Sequence, residues 1–259
     1  MLQEEIINQL DRVPGNISFL YENLVTGEHF GYREDEPMMA ASVIKLFVMA
    51  SVFERIESGK LNPDLMISVD RKDCVPSCGA LTYLHEGISV TVSDLVTLMI
   101  ICSDNTATNV LIDLLGMNSI NETIDSHGFK RTQLNRKMYD VERSSKGIQN
   151  YITASETGRL LAMMDRGELI SEAASQHMIS ILKNQQLNGK IPFYLQALKD
   201  APEIAHKTGE DQGITHDVGI VYGKVPILIC FCGNETDTPG FERIMGELSL
   251  YLYQTVNGI

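Results

Sequence analysis

The strand-like segments of this 259-residue chain lie at its two ends, and the stretch between them reads almost entirely as helix. Residues 17–23 (ISFLYEN) and 27–33 (GEHFGYR) flank Leu24-Val25-Thr26 as a hairpin. Residues 216–222 (HDVGIVY) and 226–232 (PILICFC) read as buried strands near the other end. A sheet needs both ends, so this order implies an α/β layer built from the two termini with an all-helical insertion. The expected division is an α/β lobe of residues 1–40 plus 195–259 and a helical lobe of residues 41–194. The junction of two such lobes is a natural place for a site.

Local signals bound the helices. Residues 2–12 place Ile6, Ile7 and Leu10 on one face. Residues 42–58 (SVIKLFVMASVFERIES) are apolar almost all round, which predicts burial, and Gly59 is a stop signal. Residues 91–101 begin with Thr91 as a cap and Asp94 three residues on, an approximate capping box. Residues 105–115 end at Gly116, and further helices fit 118–126, 153–166, 171–184 and 240–256.

Composition excludes some classes of function. The formal net charge is −13 and no basic cluster stands out, so neither nucleic acid nor an anionic lipid surface is an expected partner. No apolar run reaches the ~18 residues of a membrane span. The start, MLQEEIINQLDRV, lacks the basic and apolar regions of a secretion signal. A complete chain with this start is expected in the cytoplasm, and one that has lost a leader is expected outside it. Of the five cysteines, Cys74 and Cys78 form one spaced pair and Cys230 and Cys232 alternate along a strand. Neither pair has partners at zinc-site spacing, so structural thiols are expected, with no metal or cofactor. A monomer is expected.

Three short motifs stand in order: Ser42-Val43-Ile44-Lys45, Ser103-Asp104-Asn105 and Lys207-Thr208-Gly209. A second S-x-x-K match, Ser180-Ile181-Leu182-Lys183, sits late in a helix and is discounted. A serine that opens a helix lies at the positive end of the macrodipole, where a developing oxyanion is favoured. Lys45 shares its face one turn on, and burial favours an amine that accepts a proton.

With these three motifs the chain resembles the class A β-lactamases and penicillin-binding proteins, serine hydrolases that carry S-x-x-K, S-D-N and K-T-G. The stretches from Gly79 through Asp113 and from Ala205 to Tyr222 are similar to that family's central helices and active-site strands. The resemblance implies a β-lactamase/transpeptidase-like α/β (α+β) fold, with an antiparallel sheet flanked by terminal helices and an inserted helical lobe. It implies that Ser42 is the acylated nucleophile and Lys45 its base. Ser103 would relay a proton to the leaving nitrogen, and Asn105 would orient the substrate amide. Lys207 would hold Ser103, and Thr208 would bind a substrate carboxylate. Gly209 would allow close approach to the strand. The N–H groups of Ser42 and Glu210 would form the oxyanion hole. The substrate would be a small β-lactam or a peptide-like molecule.

The sequence departs from the family in two places. Class A β-lactamases carry a water-activating glutamate in an E-x-x-L-N motif after S-D-N. Here the segment reads LNRKMYDVERSSKGIQNYITASE, and setting Asn135-Arg136 against its start puts Met138 where the glutamate belongs. Asp140 and Glu142 are the nearest acids. Each is either a substitute base or a loop anchor paired with Arg136 or Arg143. Acylation is unaffected by this departure, whereas efficient deacylation is not implied. The second departure is Glu210-Asp211 after K-T-G, with no arginine on the next strand. Two carboxylates there repel an anion and point to a neutral or cationic substrate group. Three activities follow: an acyl-serine hydrolase of β-lactams or related bonds, a D-alanyl-D-alanine peptidase, or a sensor that penicillin acylates without turnover.

Overall fold

The computed structural model describes residues 2–76 and 78–258. They cluster into two compact units. One takes the chain through Val43, then Ile152–Met163, then everything from Leu187 on; the other takes Ile44–Tyr151 and Met164–Gln186. The borders therefore differ by a few residues from those expected, and Ile152–Met163 goes with the sheet. The reason is local packing. A Cβ on Gly158 would lie 2.3 Å from a Leu20 methyl and 3.6 Å from Cys230 Sγ, so only glycine lets this helix press so closely on the sheet.

The first unit is built on five strands: β1 (Asn16–Asn23), β2 (His29–Tyr32), β3 (Glu203–Asp211), β4 (Ile214–Tyr222) and β5 (Ile227–Asn234). Their order is β2-β1-β5-β4-β3, antiparallel throughout. β1 pairs with β5 from Asn16↔Asn234 to Asn23↔Ile227, so the two termini share one sheet as the strand order implied. Alternate residues Ile17, Phe19 and Tyr21 of β1 and Ile227, Ile229 and Phe231 of β5 pack in one core with the helices Leu2–Leu10 and Thr238–Asn257. Leu228, Cys230 and Cys232 face the other side and are equally buried. Burial on both faces explains why PILICFC shows no polar alternation. Each such large side chain contributes about 1.5–3 kcal/mol of burial.

The second unit is helical. Its centre is Lys45–Glu57, whose residues Lys45 through Phe53 are all buried. Helices Val92–Ile101, Asn105–Leu115, Met117–Ser126 and Glu172–Leu182 pack against it. Thr91 Oγ1 accepts from Asp94 N at 3.0 Å and Asp94 Oδ2 accepts from Thr91 N at 2.8 Å, completing the capping box. Gly116 ends its helix with φ 82°. A two-stranded antiparallel pair, Met66–Val69 with Ile88–Thr91, adds to the elements expected from the sequence. Among the described residues no helix is long and apolar enough to cross a membrane.

Candidate active site

Ser42 lies in a 3₁₀ turn, Ala41–Ile44, that runs directly into the Lys45–Glu57 helix. The expected helix over 42–58 thus begins with a tighter turn, and Ala41 ahead of the serine adopts φ 41°. A non-glycine residue in that region costs on the order of 1–3 kcal/mol and persists only where its surroundings fix it. Ser42 is buried, one turn ahead of Lys45. The discounted Ser180 is exposed, and its hydroxyl donates to His177 O.

Lys45 is fully buried, and its Nζ is a hub. It donates to Ser103 O at 2.7 Å, Asn105 Oδ1 at 2.8 Å and Ser103 Oγ at 3.1 Å. Three oxygens of the S-D-N segment thus converge on this one nitrogen. Ser103 itself has φ 55°, the second strained non-glycine residue of the site. Asp104 does the holding. Its Oδ1 caps the next helix by accepting from Ala107 N at 2.9 Å, and its Oδ2 accepts from Ala80 N at 2.7 Å and Leu81 N at 2.9 Å. Gly79, at φ 119°, has room for no Cβ, which would sit 2.3 Å from Asp104 Cγ. The middle residue of the motif is therefore structural, and its neighbours present the polar atoms.

The K-T-G segment lies on β3, the edge strand. Lys207, Thr208 and Gly209 are all buried, and Lys207 Nζ donates to Thr208 O at 2.7 Å. A Cβ on Gly209 would lie 3.0 Å from Val43 Cγ2, 3.3 Å from Val43 N and 3.0 Å from His216 Cδ2. The close approach that this glycine permits is thus to Val43, the residue after Ser42. His216 Nδ1 accepts from Gly233 N at 3.1 Å, so Nε2 carries the proton donated to Met39 O at 2.8 Å. Burial pulls the pKa of His216 down to about 4, which keeps it neutral and structural near neutral pH.

The other face of β3 is strapped by the segment after Leu187. His206 Nδ1 bonds Asp217 Oδ1 at 2.8 Å and its Nε2 bonds Asn188 Oδ1 at 3.0 Å, while Ile191 N donates to Asp217 Oδ2 at 2.9 Å. Lys190 Nζ pairs with Glu210 Oε1 at 2.8 Å, donates to His216 O at 3.2 Å and lies 3.7 Å from Glu242 Oε1. Lys190 had no signal in the sequence, where it is one lysine in a polar stretch.

A family model described as the Beta-lactamase enzyme family matches residues 1–256. The chain belongs to that family. Beta-lactamase ROB-1 of Haemophilus influenzae is 25% identical over 252 residues, 95% of this chain and 81% of that one. Beta-lactamase CARB-3 of Pseudomonas aeruginosa is 23% identical over 167 residues, 64% of this chain, and the match spans 58% of the relative's length. The solved β-lactamase from Sphaerobacter thermophilus DSM 20745 superposes with a TM-score of 0.90 at 27% identity, covering 99% of this chain and 97% of that one.

In this β-lactamase family member the segment after S-D-N is tied down at Met138. Asn109 Nδ2 donates to Met138 O at 2.9 Å, and Met138 N donates to Asn109 Oδ1 at 2.8 Å. Asn150 fixes the same segment by accepting from Asn135 N at 2.7 Å and Arg136 N at 2.9 Å. Arg136 turns to Gln149 Oε1 and Lys137 O, and Glu142 is exposed and pairs with Lys146 Nζ at 2.7 Å. Asp140 Oδ1 accepts from Arg143 N at 3.0 Å as the cap of Val141–Ser145. Asp140 also lines a cavity of about 280 Å³ with Lys72, Asn109, Lys137, Met138 and Tyr139. The anchors of this loop are therefore a backbone cap and a lysine, where sequence had offered Arg136 or Arg143. Asp140→Ala is expected to lose the cap and about 0.5–2 kcal/mol in urea unfolding, with Asp140→Asn near wild type. If Asp140→Asn instead stalls turnover at unchanged stability, the carboxylate acts as a base.

Proposed function

We propose that this chain is a serine hydrolase that opens β-lactams, or related amide and ester bonds, through an acyl-enzyme on Ser42. The observation that carries this reading is the buried Lys45, bonded to both oxygens of Ser103 and to Asn105 Oδ1, one helical turn beyond Ser42. Two motifs nearly sixty residues apart would otherwise have no reason to meet at one buried lysine. Ser42 Oγ attacks the carbonyl carbon and loses its proton to Lys45. The N–H groups of Ser42 and Glu210 hold the oxyanion. The C–N bond then breaks, and Ser103 passes the proton to the leaving nitrogen. Asn105 orients the substrate amide, Lys207 supplies positive potential, and Thr208 offers a hydroxyl to the substrate group beside it. Water later cleaves the ester to free Ser42.

Slow deacylation is part of the proposal. Setting Asn135-Arg136 against the start of the family's loop puts Met138 in the place of its carboxylate, and a thioether activates no water. The same observation favours a second reading, a D-alanyl-D-alanine peptidase or a penicillin-acylated sensor, for which a long-lived acyl-enzyme is no defect. Intact-mass spectrometry after incubation with benzylpenicillin is expected to show one adduct, which peptide mapping places on Ser42 and which Ser42→Ala abolishes. An adduct that persists in Ser42→Ala overturns the assignment. Hydrolysis of a chromogenic β-lactam beside stoichiometric labelling by a fluorescent penicillin separates the hydrolase from the other two.

A further inference from the structure

Lys190 is a buried cation that the reaction as proposed does not use. Its side chain is 3% exposed, whereas that of its partner Glu210 is 56% exposed. The pair therefore joins a fixed ammonium to a carboxylate that is half in solvent. Glu210 is two residues from Thr208, so the two side chains leave the same face of β3. Lys190 remains compensated without Glu210, because His216 O and Glu242 stay beside it, and Glu242 is itself held by Thr215 Oγ1 at 2.8 Å. A buried cation with one exchangeable carboxylate, on the face that carries Thr208, is an anion subsite already filled from within.

We propose that Glu210 occupies, as an internal anion, the place beside Lys190 and Thr208 that a substrate carboxylate would take, and so selects substrates that are neutral or cationic there. This rests on the reading of Thr208 as a substrate-binding residue. In wild type an incoming carboxylate has to displace Glu210 from Lys190 and approach its charge. That opposition slows acylation by the free acid about tenfold or more, and a factor of ten corresponds to about 1.4 kcal/mol. A neutral ester of the same molecule meets no such charge.

The test compares acylation rates of the whole chain with benzylpenicillin and with its methyl ester, read by intact mass, in wild type, Glu210→Gln and Glu210→Gln/Lys190→Met. Glu210→Gln is expected to raise the ratio of the free-acid rate to the ester rate by about tenfold or more. Adding Lys190→Met is expected to remove that gain while leaving the ester rate in place. The ester rate reports whether each variant is folded and competent. An unchanged ratio in Glu210→Gln, whether neither rate moves or acid and ester gain alike, overturns the proposal. Absence of a Ser42 adduct with either reagent in every protein instead overturns the acyl-serine reading on which it rests.

Discussion

Lys45→Ala slows the acylation of Ser42 by benzylpenicillin by about 10²–10⁴-fold, the usual contribution of a positioned general base. The effect is large because no other basic group stands one turn from Ser42 on its own helical run. The substitution also strips Ser103 O, Ser103 Oγ and Asn105 Oδ1 of a shared donor in a buried setting. Removing a buried donor that these acceptors share costs about 1–3 kcal/mol, so the melting temperature falls as well. The two effects separate cleanly when acylation is timed by mass spectrometry well below the transition, on protein with wild-type circular dichroism. Acylation of folded Lys45→Ala within a few-fold of wild type removes Lys45 from the chemistry and leaves it a structural hub.

Met138→Glu raises steady turnover of benzylpenicillin after the burst by about 10²-fold or more. The wild type is expected to open one equivalent of β-lactam rapidly and then to run at the rate of unassisted ester hydrolysis. Asn109 holds the backbone of residue 138 from both sides, so the new carboxylate is carried by an already fixed backbone. Its burial is the opposing cost, because Met138 is buried and a carboxylate needs water or a donor there. Stopped-flow absorbance of the β-lactam ring resolves the burst from the steady phase in both proteins. A wild type with fast linear turnover and no burst refutes the slow-deacylation reading, whatever the variant does. A variant that keeps the burst and gains no turnover shows that residue 138 is not where the water is activated.

Most helix ends were legible because their causes are local. Thr91 and Asp94 cap each other within four residues, and Gly116 stops a helix where the chain turns to positive φ. The sheet strands β1, β4 and β5 were legible from apolar content, and their position at the two chain ends required a shared sheet. The β3 strand was not legible in that way. Its segment AHKTGED mixes cations, acids and glycine, and only likeness to a family marked it as a strand. The pairing of Met66–Val69 with Ile88–Thr91 was not legible because each strand has four residues, too few for the alternation of Ile67 and Val69 opposite Val90 and Ile88 to stand out.

The sequence by itself determined the three motifs, their order and the helices that carry most of them, since each is a property of a short window. Tertiary structure alone decided what those residues touch. It decided that Lys45 bonds the carbonyl of a strained Ser103, that Gly79 makes room for Asp104, and that Gly209 admits Val43. It also decided that Glu210 is countered by Lys190 from twenty residues away, so that one of the two adjacent acids at the end of β3 is paired. Such contacts depend on which distant side chains share a buried space, and neither periodicity nor composition within a window encodes that.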